Sequence, residues 1–150
     1  MTVGLLFDCD TEVAQWHAAQ AGCHPGKYDK ALGLVDSTGV LIGAIAFQYW
    51  NGANVELGYW GRGTLSLGIV RCLSRYAITT FDPARVTVVT SKRNRHLMRS
   101  LQKLGFRLEG ISRCYYGKKD CNRNTGVRFV LFRNALERLA KMPQELQQCL

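Results

Sequence analysis

Two glycines around an arginine, Gly61-Arg62-Gly63, interrupt a strand-like run just before a helical pattern, and Thr64, Leu65, Ser66, Leu67 and Gly68 follow. Small residues let backbone approach a phosphate closely. A helix N-terminus adds unpaired N–H groups and the positive end of its dipole, both favourable to an anion. Arg62 would contribute a charge-assisted contact. The same glycine pair also suits a plain solvent turn, and these residues alone leave both readings open. Cys9, His17, Cys23 and His24 are metal-ligating types, but their spacing matches no zinc pattern, so no metal is expected. Cys72 and Cys114 are nucleophile types. Cys72 falls in the middle of an amphipathic pattern and is expected in the core. His96, beside Arg95 in the first turn of a helical pattern, is expected to be solvated.

Charge points to a partner without choosing it. The formal net charge is +9, and between Asp82 and Glu109 there is no acid, while Arg85, Lys92, Arg93, Arg95, Arg99, Lys103 and Arg107 all fall there. Arg95, Arg99 and Lys103 share one helix face at i, i+4 spacing, opposite an apolar stripe. Such a face is either solvated or attracts a polyanion, whether a phosphate-bearing ligand or a nucleic acid. The six cysteines have irregular spacing and no C-x-x-C pair. The first residues lack a basic stretch followed by an apolar run, so no secretory signal is read. Reduced thiols and a cytoplasmic location are therefore expected. No apolar run reaches membrane-spanning length, and no membrane partner is expected.

The elements that must position these residues follow from periodicity and turn chemistry. At 150 residues and 47% hydrophobic, the chain is expected to form one domain over residues 1–150, with no repeat or linker. Asp10 or Thr11 is expected to cap a first helix running to Gly22. Residues 31–35 and 40–49 read as a hairpin around a turn at 36–39. A second turn at 51–54 leads into a strand over 55–60. A helix is expected over residues 64–80, with Leu65, Ile69, Val70, Leu73, Tyr76 and Ala77 inward. Residues 85–90 alternate as a clean strand. A strand over 127–132 and a short helix ending before Pro143 close the chain.

Between those strands, Leu97, Met98, Leu101 and Leu104 recur at i, i+1, i+4 and i+7 after Asn94. Gly105 can take the left-handed conformation that ends a helix. Phe106 and Leu108 then alternate with Arg107 and Glu109 as a half-buried strand would. The segment Asn94 to Gly110 resembles the "Asn, helix, Leu-Gly-Phe, Glu-Gly" signature of the GNAT superfamily of N-acetyltransferases. The resemblance covers residues 30–133. It implies an α/β fold with a mixed, mostly antiparallel central sheet, a splayed parallel strand pair and flanking helices. Within the family, the strand around Val55-Glu56-Leu57 and the helical Tyr76-Ala77-Ile78 look most like small GNAT-like proteins encoded in bacteriophage genomes.

The resemblance further implies acetyl transfer from acetyl-coenzyme A to a primary amine, whether a protein N-terminus, a lysine or a small amine. In that family the cofactor lies where one strand leaves its neighbour. The positions that correspond are Leu57 and Gly58 on the strand, then Gly61, Arg62, Gly63, Thr64 and Leu65 at the turn. Asn94 and Arg99 lie toward the coenzyme A arm. Transfer needs a proton acceptor for the amine and a donor for the leaving thiolate. Glu56, the one carboxylate on the strand, is the candidate base, and it equally suits an ion pair with an arginine across the sheet. Tyr59 is the candidate donor, with Tyr115 and Tyr116 as further possibilities. Three positions depart from the family pattern: Leu65 where the turn has Gly, Leu101 where many members have Tyr, and Leu97 where some have Ser. These departures keep open a catalytically inactive protein of the same fold that binds another protein, such as a host factor.

Overall fold

The computed structural model describes residues 4–21, 28–61 and 65–141. The elements run β1 (Gly4–Leu6), α1 (Asp10–Ala21), β2 (Lys30–Val35), β3 (Leu41–Gln48), β4 (Asn54–Gly61), α2 (Leu67–Phe81), β5 (Arg85–Ser91), α3 (Arg95–Lys103), β6 (Arg107–Ser112), β7 (Gly126–Phe132) and α4 (Arg133–Lys141). The strands form one sheet in the order β1-β2-β3-β4-β5-β7-β6. The β4–β5 pair is parallel and the other neighbours are antiparallel. A parallel neighbour requires a crossover, which α2 supplies. This is the mixed, mostly antiparallel α/β architecture with flanking helices that the sequence resemblance implied.

Alternation along the strands divides the molecule into two unequal halves. Leu32, Ile45, Phe47, Val55, Val86, Phe129 and Leu131 share a core with Ile69, Leu73 and Ala77 of α2, Leu101 of α3, and Leu136 and Leu139 of α4. The opposite face carries a smaller cluster, in which Val13 and Ala14 of α1 pack on Ala31 and Ala44. Small residues there let the helix come close. A Cβ on Gly33 would lie 3.2 Å from Val13 Cγ2 and 2.6 Å from Leu41 Cδ2. On this face α1 packs on β2 and β3 and meets β4 through Trp16 against Trp60.

Local chemistry sets the joints. Asp36 accepts from the Thr38 and Val40 N–H groups at 2.8 and 3.1 Å, closing the β2–β3 turn with Gly39 at φ 83°. Ser66 and Asn94 cap α2 and α3 by accepting from the Ile69 and Leu97 N–H groups. Gly105 stands at φ 98°, where a side chain would be strained, and the Phe106 N–H bonds back to Leu101 O at 3.0 Å.

The three-residue β1, too short to carry a readable pattern, is an element that periodicity did not foresee. Four expectations are corrected. Asp10 accepts from the Ala31 N–H at 2.7 Å, so its carboxylate ties α1 to β2 instead of capping the helix. Cys72 is exposed, because Ile69, Leu73 and Ala77 take the inward positions of α2. Leu108 is 56% exposed, because β6 is the sheet's edge strand and receives little cover. Additionally, α2 begins at Leu67, later than the helical pattern suggests, since Ser66 is extended (φ −67°, ψ 156°) and serves as its cap.

Candidate active site

The parallel pairing of β4 and β5 is short. It runs from Asn54↔Arg85 to Leu57↔Val88 and then stops. Beyond that point β4 continues beside β3, with Gly58↔Ala46, Tyr59↔Ile45, Trp60↔Ala44 and Gly61↔Gly43. Likewise β5 continues beside β7, with Val89↔Arg128, Thr90↔Val127 and Ser91↔Gly126. The two strands therefore diverge, and the sheet opens between residues 58–61 and 89–91. Strand backbone on the inner sides of such an opening lacks its ladder partner and can bind an extended ligand.

Both helices that follow these strands start at the same end of the sheet, because β4 and β5 run in the same direction. Neither α2 nor α3 has an acidic residue in its first turn. At the start of α2, Ser66 bonds the Ile69 N–H through its side chain and the Val70 N–H through its carbonyl. Around α3, Lys92, Arg93, Arg95, Arg99 and Lys103 are exposed, and among the described residues none has a carboxylate partner. Of these, Lys92, Arg93 and Arg95 stand at the positive end of the α3 dipole, where cations are unfavourable unless an anion joins them. This end of the sheet is thus electrostatically suited to phosphate.

The opening separates two chemically different faces. Tyr59 lies on the side of the main core, packed against its cluster, and burial raises its phenol pKa. A Cβ on Gly61 would lie 2.9 Å from the Gly43 Cα of β3 and 2.7 Å from the Tyr59 hydroxyl, and the backbone contact makes glycine the fitting residue there. Glu56 points to the other face. Among the described residues it is the one buried carboxylate, 8% exposed. Its Oε2 accepts from Arg128 Nη1 of β7 at 3.0 Å, which neutralises a charge that would be costly to bury alone. Alongside, Asn54 donates to Thr87 Oγ1 at 3.2 Å and accepts from Arg85 Nε at 3.1 Å, and Arg85 pairs with Glu109 at 2.5 Å. The bonded Arg85 guanidinium holds the Glu109 carboxyl below the usual carboxylate range, and Arg128 adds to the pull.

The connection after β6 folds over this face. The Tyr115 N–H bonds Asn124 O at 2.7 Å, and a Cβ on Gly126 would meet the Tyr115 ring at 2.8 Å. Tyr115 and Tyr116 stand edge to face, ring centres 4.9 Å apart. Burial and the nearby Glu56 carboxylate raise the Tyr115 phenol, against an opposing pull from Arg128. Burial, Tyr115 and Glu56 push Tyr116 up to about 12, so it stays protonated at neutral pH. Across the face, Trp16 of α1 meets Trp60 of β4 edge to face at 5.4 Å.

The structure therefore brings Glu56, Leu57, Gly58, Tyr59 and Gly61 together along the diverging strand, with Leu65 just before α2. Asn94 is the α3 cap and Arg99 is exposed on that helix. Arg62, Gly63 and Thr64 lie outside the described residues, as do Cys23 and His24 of the metal-type set. Among the described residues no His, Cys, Asp and Glu cluster could hold a metal ion, and no helix is long and apolar enough to cross a membrane. Sequence reasoning passed over Arg128. Its signal was available: one charge within an otherwise apolar strand, Gly126–Phe132, asks for a buried partner.

The same fold recurs in solved N-acetyltransferases. A spermidine N-acetyltransferase from Vibrio cholerae superposes with a TM-score of 0.70 at 10% identity, covering 88% of this chain and 94% of that one. A ribosomal-protein-S5-alanine acetyltransferase from Vibrio fischeri gives 0.58 at 15% identity, covering 79% and 67%. A GCN5-related N-acetyltransferase from Brucella melitensis gives 0.58 at 20% identity, covering 74% of this chain but only 54% of that protein. No protein-family model and no curated protein matches the sequence. At these identities the likeness establishes the fold: this chain has the GNAT fold.

Proposed function

We propose that this chain is an N-acetyltransferase that uses acetyl-coenzyme A to acetylate a primary amine. The observation that carries the reading is the divergence of β4 from β5 after Leu57↔Val88, directly beside the buried Glu56. The residues present fit the cofactor. Gly61 leaves the diverging strand without a side chain on the Tyr59 side, where an extended arm would lie. The Leu67 and Gly68 amides at the start of α2 and the cations around Asn94, including Arg95 and Arg99, suit its phosphates. Bound there, acetyl-coenzyme A supplies an activated acyl group at a thioester.

The chain's own residues then divide the proton work by face. Glu56, on the open face, attracts the acceptor's ammonium and takes its proton, leaving the neutral nitrogen that attack on a carbonyl requires. Tyr59, on the cofactor side of the same strand, keeps its phenol protonated and donates to the leaving sulfur as a C–N bond replaces the C–S bond; the nitrogen's second proton leaves to solvent, which restores the phenol. A base and a donor on opposite faces of one strand suit a reaction in which the amine arrives from one side and the thiol departs on the other. The three departures at Leu65, Leu97 and Leu101 remove neither group.

Calorimetric titration with acetyl-coenzyme A tests the reading. Binding is expected, and replacing Arg95 and Arg99 together by Gln should weaken it by roughly tenfold or more, since each charge-assisted contact contributes on the order of 1.5–3 kcal/mol. Absence of measurable binding by the folded protein would refute the enzyme reading.

A further inference from the structure

The floor of the open face is an ion pair, not a lone carboxylate. Glu56 uses one oxygen for Arg128, and among the described residues its Oε1 has no partner. Arg128 uses one Nη1–H, and its Nε and Nη2 groups likewise have no acceptor there. The exposures are unequal: the Glu56 side chain is 11% exposed and the Arg128 side chain 38%. The guanidinium therefore keeps unused donors and solvent access beside the buried carboxylate. A guanidinium fork of this kind matches a carboxylate.

We infer that the acceptor is a free α-amino acid with an apolar or aromatic side chain, its amine directed to Glu56 and its carboxylate to Arg128. The inference rests on the acetyl-transfer reading and narrows its acceptor. An α-amino acid carries its two opposite charges on neighbouring carbons, which suits a pair whose own charges are 3.0 Å apart. Tyr115 and Tyr116 near the pair, and Trp60 with Trp16 further along the same face of β4, offer aromatic surface to the side chain. Electrostatics count against the obvious alternative. Glu56–Arg128 and Arg85–Glu109 are each neutral as pairs, and the chain carries a net charge of +9, so among the described residues these pairs offer no surplus of negative charge that would favour a polycation over a single ammonium.

Matched acceptors test this with the intact protein and acetyl-coenzyme A: L-phenylalanine against phenethylamine, which lacks only the carboxylate, against L-phenylalaninamide, which imitates a peptide N-terminus, and against spermidine. The kcat/KM for phenylalanine should exceed that for phenethylamine and for the amide by at least about tenfold, with spermidine lowest. Arg128→Lys keeps a cation beside Glu56 but loses the fork. It should reduce the phenylalanine-to-phenethylamine ratio by roughly tenfold, whatever it does to the two absolute rates through Glu56. A purely structural Arg128 would lower both rates together and leave the ratio intact. Acetyl-coenzyme A binding with no amino acid acetylated, or with the amine, amide or polyamine preferred, overturns this inference alone. Failure to bind acetyl-coenzyme A removes the acetyl-transfer reading and this inference with it.

Discussion

Replacing Glu56 by Gln separates catalysis from architecture at this site. The substitution keeps the shape and an oxygen that can accept from Arg128, but removes the negative charge. Breaking a fully buried ion pair costs about 3–5 kcal/mol. Here the cost is smaller, because the Arg128 side chain is 38% exposed and water can solvate it once its partner is neutral. What remains is the difference between a charge-assisted and a neutral hydrogen bond, on the order of 1–2 kcal/mol. For a domain of this size that corresponds to a melting temperature lower by roughly 2–8 °C. If Glu56 takes the amine's proton, turnover should fall by about two to four orders of magnitude, with acetyl-coenzyme A affinity nearly unchanged. The assay is thiol release with a saturating amine, read on the same preparation as a thermal melt and a cofactor titration. Turnover per folded molecule within about threefold of the unmodified protein would refute the catalytic role and leave Glu56 as the structural half of its ion pair.

Gly58→Leu probes which face receives the acceptor. A Cβ at Gly58 would lie 3.2 Å from Gln48 Nε2, the mobile end of a long side chain, so the fold should tolerate it. The acceptor KM should rise by at least about tenfold while acetyl-coenzyme A affinity stays within about threefold; the reverse pattern would move the acceptor to the other face. His17 supplies a pH signature. Burial lowers its pKa from the ordinary 6.5, so below that value the unfolded chain binds the proton more readily. Stability should therefore be full above about pH 6.5 and fall as pH drops toward the lowered folded value. In His17→Asn that part of the slope should flatten; an unchanged slope in parallel melts would show that His17 does not report its burial.

Much of this molecule is written locally. Asn94 accepts from the Leu97 N–H, the Leu97, Leu101 and Leu104 stripe turns inward, and Gly105 stops α3 at positive φ; each follows from residues within a turn or two. The order of strands and helices, and the parallel relation of β4 and β5 through α2, follow from periodicity plus the handedness of a crossover. The chemistry of the site depends on contacts that no local rule can supply. Where β4 parts from β5 depends on a register between strands separated by a whole helix. The arginine paired with Glu56 comes from 72 residues further along the chain. Tyr115 and Tyr116 come near that pair because their loop folds back over Gly126 of β7. Leu108 and Cys72 mislead for the same reason: alternation and amphipathic spacing say which side of an element a residue takes, but only the packed neighbours decide whether that side is covered.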